Sequence, residues 1–248
     1  MPAEPWRTAV VTRIEEEAEG TRRYYFSVPE LEQFDFKPGQ FVTLDLPIHE
    51  KPNKRWRSYS IASWPDGTNG FELCIVLLEG GVGTHYIFEE FKVGTEVQYR
   101  GPSGVFTLPP SLHKDLYFIC TGTGIAPFRS MLHHILDHNI PHQSIYLIFG
   151  TRTRGNLLYY DEMRQLAADI PQFHYLPTLS REEWEGRKGY VHQVYEDLLK
   201  KNQTRTGPVD ECGAAFYLCG WKDMIDEAKK RIQEMGFDRK CIHQELYG

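Results

Sequence analysis

The sequence is poor in the residues that build metal clusters or disulfide frameworks. Its 248 residues include five cysteines: Cys74, Cys120, Cys212, Cys219 and Cys241. The number is odd and no C-x-x-C pair occurs. That argues against a zinc ribbon, a thioredoxin-like motif and the four-cysteine spacing of a plant-type iron–sulfur cluster. His133, His134, His138 and His142 cluster near an expected helix end, where histidines usually face solvent, and no metal site is expected. Positive charge is also scarce: 28 basic against 34 acidic residues leave a net −6, with no electrostatic footprint for nucleic acid. No stretch approaches the roughly 20 apolar residues of a membrane span. The opening MPAEPWRTAV has neither an apolar signal core nor transit-peptide character. A soluble, cytoplasmic protein is expected. Internal repeats and low-complexity tracts are lacking too.

What is present is an ordinary globular composition, 41% apolar and 25% charged, in a chain long enough for one or two domains. The chain has two textures. Up to about residue 110 it reads as short strands: Thr8–Ile14, Thr21–Val28, Phe41–Leu46, Ser58–Ala62, Phe71–Leu78 and Glu96–Arg100. Turn pairs such as Pro38-Gly39, Asn69-Gly70 and Val93-Gly94 separate them, the pattern of an antiparallel barrel or sandwich. A short helix over His85–Phe91 follows Thr84. Beyond Leu108-Pro109-Pro110-Ser111 strands and helices alternate. The strands are Leu116–Cys120, Ser144–Phe149, Phe173–Leu176, Ala215–Cys219 and Cys241–Leu246. The helices are Pro127–Leu136, Tyr160–Ala168, His192–Lys200 and Lys222–Met235. Alternation of this kind builds βαβ units on a parallel sheet. The expected fold is an N-terminal antiparallel β-barrel, residues 1–110, and a C-terminal α/β domain, residues 111–248.

Three motifs carry candidate chemistry. Thr121-Gly122-Thr123-Gly124-Ile125-Ala126-Pro127 follows an apolar strand and opens a helix. Glycines allow backbone N–H groups close to a phosphate, the helix end adds its positive dipole, and Pro127 fits the first helical turn. A plain tight turn is the competing reading. The motif is not G-x-G-x-x-G and lies mid-chain, so a simple Rossmann dehydrogenase fits poorly. Arg57-Ser58-Tyr59-Ser60 lies on a strand of the first half. It offers a guanidinium fork for phosphate, an aromatic ring two residues on, and a hydroxyl donor. A half-buried strand with a surface arginine would read the same. Gly80-Gly81-Val82-Gly83-Thr84 is a second glycine turn before a helix, suited either to a pyrophosphate or to a hairpin with a threonine cap.

In this order, with GPSGVF at 101–106, Cys219-Gly220 and the ending HQELYG, the motifs resemble the ferredoxin–NADP reductase superfamily over essentially the whole chain. The resemblance implies FAD in the barrel and NADP(H) in the α/β domain, with hydride passing between nicotinamide C4 and flavin N5. It implies Arg57 at the FAD pyrophosphate, Ser58 among the cofactor-binding residues, Tyr59 stacked on the isoalloxazine and Ser60 near flavin N5. Gly81, Val82, Gly83 and Thr84 would cradle the pyrophosphate by backbone and hydroxyl. Thr121, Gly122, Thr123, Gly124 and Pro127 would bind the nicotinamide nucleotide. Cys219 and Gly220 would line the nicotinamide site, Glu245 would be the carboxylate near the ring, and Tyr247 would cover the other flavin face. Ser60, Cys219, Glu245 and Tyr247 are the catalytic candidates.

Ser180 and Arg181, in Thr178-Leu179-Ser180-Arg181, resemble a pocket for the 2′-phosphate of NADP, with Arg152 and Arg187 or Lys188 assisting. The stretch Trp184–Val191 instead looks like that of oxygenase reductases, many of which use NADH, and Glu182 and Glu183 add negative charge. The chain has no iron–sulfur ligands of its own, so the electron partner is separate: a ferredoxin or a flavodoxin. Both are usually acidic, so a basic docking rim is expected, with Lys51, Lys54, Arg55 and Arg57 as candidates. Two other readings stay open: a reductase of an oxygenase or of free flavin, and an electron-transfer subunit of a larger complex.

Overall fold

The computed structural model describes residues 5–208 and 211–246. The chain divides into two compact units. The first is residues 1–107 with Arg129–His134, and the second is Leu108–Phe128 with Ile135–Gly248.

The first unit is a six-stranded antiparallel sheet. Its strands are β1 (Arg7–Ala18), β2 (Thr21–Ser27), β3 (Phe41–Asp45), β4 (Trp56–Ser60), β5 (Gly70–Val76) and β6 (Glu96–Ser103), ordered β4-β3-β6-β1-β2-β5. Just past β4, an antiparallel bridge joins Ile61 to Leu73 of β5, and the Ala62 N–H donates to the Glu72 carbonyl at 2.8 Å. The two ends of the strand order are thereby tied together, and the sheet closes as a barrel. The period-two pattern explains the interior: Ala9, Val11, Tyr24, Phe26, Val42, Leu44, Leu73, Ile75, Val97 and Tyr99 are all buried in one cluster. Outside the barrel wall Glu72 is also buried. Arg23 grips its carboxylate at 2.7 and 3.1 Å, and Arg129 adds a bond at 3.1 Å. A buried carboxylate is tolerated because it is paired.

Two differences from the sequence reading stand out here. β1 runs on to Ala18, because Glu16 pairs with Arg22 across the hairpin at Gly20, where φ is +67°. Charge pairing extends the ladder where apolar alternation stops. Helix α1 covers Val82–Glu90 rather than starting at His85, since Gly81 serves as its N-cap.

The second unit is a six-stranded parallel sheet. Its strands are β7 (Asp115–Thr121), β8 (Ile145–Thr151), β9 (Phe173–Leu179), β10 (Arg187–Lys188), β11 (Ala214–Gly220) and β12 (Ile242–Leu246), ordered β10-β9-β8-β7-β11-β12. Leu116–Cys120 and Ile145–Phe149 are continuously buried, as strands covered on both faces must be. The helices are α2 (Ala126–Asp137), α3 (Tyr160–Asp169), α4 (Val191–Asn202) and α5 (Lys222–Glu234). Helix α5 buries Met224, Ile225, Ala228 and Ile232 at helical spacing and leaves its charged residues outward. The chain leaves β7 in one direction through β8, β9 and β10, then returns to place β11 on the other side of β7. The β7/β11 junction is therefore the point where the topology switches, and ligands of open α/β sheets bind outside the carboxyl ends of such strands. No helix among the described residues is long and apolar enough to cross a membrane.

Candidate active site

In the first unit the two motifs converge. Within β4, Arg57 pairs in register with Leu44 of β3 and Tyr59 with Val42. The stem of Arg57 crosses the start of α1. A Cβ on Gly83 would lie 2.9 Å from Arg57 Nε and 3.0 Å from its Cγ. The guanidinium is held by donating from Nη1 to the carbonyls of Trp56 at 2.8 Å and Lys54 at 3.1 Å. A fixed cation thus stands beside the first turn of a helix, whose N–H groups lack intrahelical partners. That pairing suits an anionic diphosphate.

The glycine loop is locked from inside. Thr84 Oγ1 accepts from the Leu78 N–H at 3.1 Å and donates to the Gly81 carbonyl at 3.0 Å. The resemblance implied a threonine hydroxyl toward phosphate; here that hydroxyl shapes the loop, and the outward donors are backbone. A groove of about 460 Å³, lined by Pro47, Ile48, Gly80, Val82, His85, Tyr86 and Glu89, borders the same loop. Ser58 shares a hydrogen bond of 2.9 Å with Thr43. Tyr59 is half-buried, and burial pushes its phenol above the ordinary value. Ser60 is 5% exposed. The residues fit FAD: a rigid guanidinium, a helix end, a cradle that a side chain on Gly83 would fill, and a flat ring on the same strand.

The candidate docking rim is smaller than the sequence suggests. Arg55 is committed to Asp45 at 3.0 Å and Arg57 to the two carbonyls. Lys51 and Lys54 remain exposed.

In the second unit the glycine turn is a 3₁₀ segment, Gly122–Ile125, leading into α2. Pro127 is the second residue of that helix, where its missing N–H costs nothing. Gly122 has φ +53°. Two further glycines let the turn rest on the end of β11. A Cβ on Gly124 would come within 2.3 Å of the Cys219 carbonyl oxygen, and one on Gly220 within 2.4 Å of Thr121 Oγ1. Cys219 pairs in register with Cys120 on one side and with Glu245 of β12 on the other. Cys219 is fully buried and Glu245 half-buried. Burial and the neighbouring Cys219 push the Cys120 thiol well above its usual range. Tyr247 lies outside the described residues.

Ser180 and Arg181 follow β9 and are drawn to the end of β8. Their N–H groups donate to the carbonyls of Thr151 and Arg152, each at 3.0 Å. Ser180 Oγ also donates to the Thr151 carbonyl, at 3.3 Å. The nearby acids are engaged. Glu182 accepts from the Arg154 N–H at 2.8 Å, Glu185 pairs with Arg154 at 3.3 Å, and Glu183 pairs closely with Lys188. Arg152, Arg181 and Arg187 are exposed, and none has an ion pair among the described residues. Strand β10, which carries Arg187 beside Thr178, was not visible in the sequence. No group of three or more metal-ligating side chains occurs among the described residues.

Residues 8–108 match the oxidoreductase FAD-binding domain and residues 118–230 the oxidoreductase NAD-binding domain. The chain is 32% identical to "Ferredoxin--NADP reductase B" of Sorangium cellulosum, covering 100% of this chain and 99% of that protein. It is also 32% identical to the anthranilate 1,2-dioxygenase electron transfer component of Acinetobacter baylyi, over 96% of this chain but 66% of that one. Among solved structures, an Amycolatopsis cytochrome P450 reductase superposes with a TM-score of 0.84 at 27% identity, over 98% of this chain and 71% of that chain. An oxidoreductase built from one flavin domain and one pyridine-nucleotide domain is thereby defined. The chain belongs to the ferredoxin–NADP reductase superfamily, with an FAD-binding domain and a pyridine-nucleotide-binding domain.

Proposed function

We propose that the protein exchanges electrons between NADP(H) and a separate one-electron carrier, a ferredoxin or a flavodoxin. The observation that carries this reading is the set of three exposed guanidiniums, Arg152, Arg181 and Arg187, without ion pairs among the described residues, around the ends of β8, β9 and β10. A 2′-phosphate dianion is the group such a set discriminates. An NAD site more often presents an acid to the ribose. Here the local acids Glu182, Glu183 and Glu185 are tied up by Arg154 and Lys188.

Bound flavin supplies the chemistry, accepting two electrons together and releasing them singly. The residues bind and orient. Arg57 and the start of α1 hold the flavin diphosphate. Tyr59 would offer its ring to the isoalloxazine, and Ser60 its hydroxyl to the flavin near N5. The turn Thr121–Gly124 with Pro127 holds the nucleotide diphosphate. Gly220 and Cys219, beside Glu245 in register, would form the wall of the nicotinamide end. Ser58 holds β4 against β3 through Thr43. Lys51 and Lys54 are the remaining candidates for docking an acidic carrier.

The second reading is the reductase component of an oxygenase. The Acinetobacter relative and the Trp184–Val191 stretch favour it. The test is the rate of anaerobic flavin bleaching with NADPH and with NADH, followed by reduction of added ferredoxin and flavodoxin. Much faster bleaching by NADPH, with electrons delivered to either carrier, is expected. Equal or faster bleaching by NADH would overturn the NADP(H) assignment and put the oxygenase reductase first.

A further inference from the structure

At the carboxyl end of β11 the chain passes from buried residues to one exposed aromatic. Cys219 and Gly220 are buried, while Trp221 is 52% exposed. Core packing does not account for so large a ring in water. Its backbone is fixed, since Trp221 is the N-cap of α5 and its N–H lies 3.5 Å from Thr121 Oγ1. Its ring leans over the neighbouring turn. The indole Nε1 is 4.0 Å from the point a Cβ would occupy on Gly122, and no other heavy atom beyond the adjoining chain lies as near. The exposed face of Gly122 is therefore bordered by one indole N–H. That N–H has no hydrogen-bond partner among the described residues. The segment Thr121–Phe128 carries no cationic side chain, so within it backbone donors and the helix end are what attract an anion.

We propose that Trp221 is an affinity-determining residue of the nucleotide site. Its indole N–H donates to a diphosphate oxygen of the dinucleotide on the Thr121–Gly124 turn. This inference rests on the reading of that turn as the nucleotide cradle. An indole N–H is a donor only and stands on a rigid ring, so it favours an acceptor at one place and loses little side-chain freedom on binding. A hydrogen bond to a charged oxygen contributes about a factor of ten or more in affinity.

The test is calorimetric titration of the FAD-loaded protein with NADP⁺ and with NAD⁺, comparing wild type with Trp221→Phe, which keeps a ring but removes the donor. The dinucleotide that wild type binds more tightly should bind the variant about tenfold more weakly. Adenosine 2′-monophosphate, which lacks a diphosphate, should bind both proteins alike. The NADP⁺-dependent quenching of tryptophan emission should shrink in the variant, while its FAD content and melting temperature stay unchanged. Equal dinucleotide affinity in the two proteins would overturn the role of Trp221 and leave the cradle standing. An equal loss of adenosine 2′-monophosphate binding would overturn it as well. Failure of wild type to bind either dinucleotide would remove the cradle itself.

Discussion

The two phosphate cradles solve one problem by different means. In the barrel, a cation crosses a helix start, and a Cβ on Gly83 would meet only the Arg57 side chain, Nε at 2.9 Å. In the parallel-sheet unit the turn itself, Thr121–Phe128, carries no cationic side chain. Glycine is needed at 124 because the backbone of β11 lies against it, 2.3 Å from where a Cβ would be. A side chain can swing away; a strand held in register between β7 and β12 cannot. The barrel cradle should therefore depend on charge and forgive shape, and the sheet cradle should depend on shape.

The largest effect is expected from Gly124→Ala. It should abolish measurable NADP⁺ binding and destabilise the protein by about 1–3 kcal/mol, as overpacking does, while bound FAD stays near one per chain. Calorimetry and thermal unfolding check this. A Gly83→Ala variant losing as much would erase the contrast, because Arg57 can shift. Next comes Arg57→Ala. Removing the fixed guanidinium should weaken FAD binding by about 10- to 100-fold, the equivalent of a charge-assisted hydrogen bond, with NADP⁺ affinity unchanged. Fluorescence titration of the apoprotein with FAD measures it.

Arg181→Gln should reduce the preference for NADPH over NADH about tenfold through KM for NADPH, with KM for NADH unmoved. Steady-state kinetics with both nucleotides decide this. An equal rise in both KM values would make Arg181 a general anion contact. The smallest effect belongs to Thr84→Val, which removes a hydroxyl that both accepts and donates inside the loop. A loss of about 1–2 kcal/mol in unfolding free energy is expected, with Thr84→Ser recovering most of it.

Much of this contrast was legible in the residues. Spacing of turn pairs separated barrel from parallel sheet, and R-x-Y-S, GGVGT and GTGIAP fell on a strand end or a helix start. What escaped has common physical causes. Strand β10 is two exposed charged residues, with no apolar alternation to reveal it. The extension of β1 rests on Glu16 and Arg22, a pairing visible only once the hairpin closes. The hydroxyls of Thr84 and Ser180 looked like ligand donors; Thr84 donates to the Gly81 carbonyl and Ser180 to the Thr151 carbonyl of β8. Arg55 belonged to a plausible basic run and proved to be held by Asp45. Trp221 drew no notice because a tryptophan at a helix start belongs to no capping pattern; its meaning comes from Gly122, 99 positions earlier and adjacent in space.

The shortness of β10 has a further consequence. It forms one border of the parallel sheet, and a border strand exposes unpaired amides that can recruit another chain. This border is two residues long and both residues, Arg187 and Lys188, are cationic and exposed. A second copy meeting it would gain almost no ladder and would oppose like charges. A border this short offers few free amides on which the sheet could keep growing.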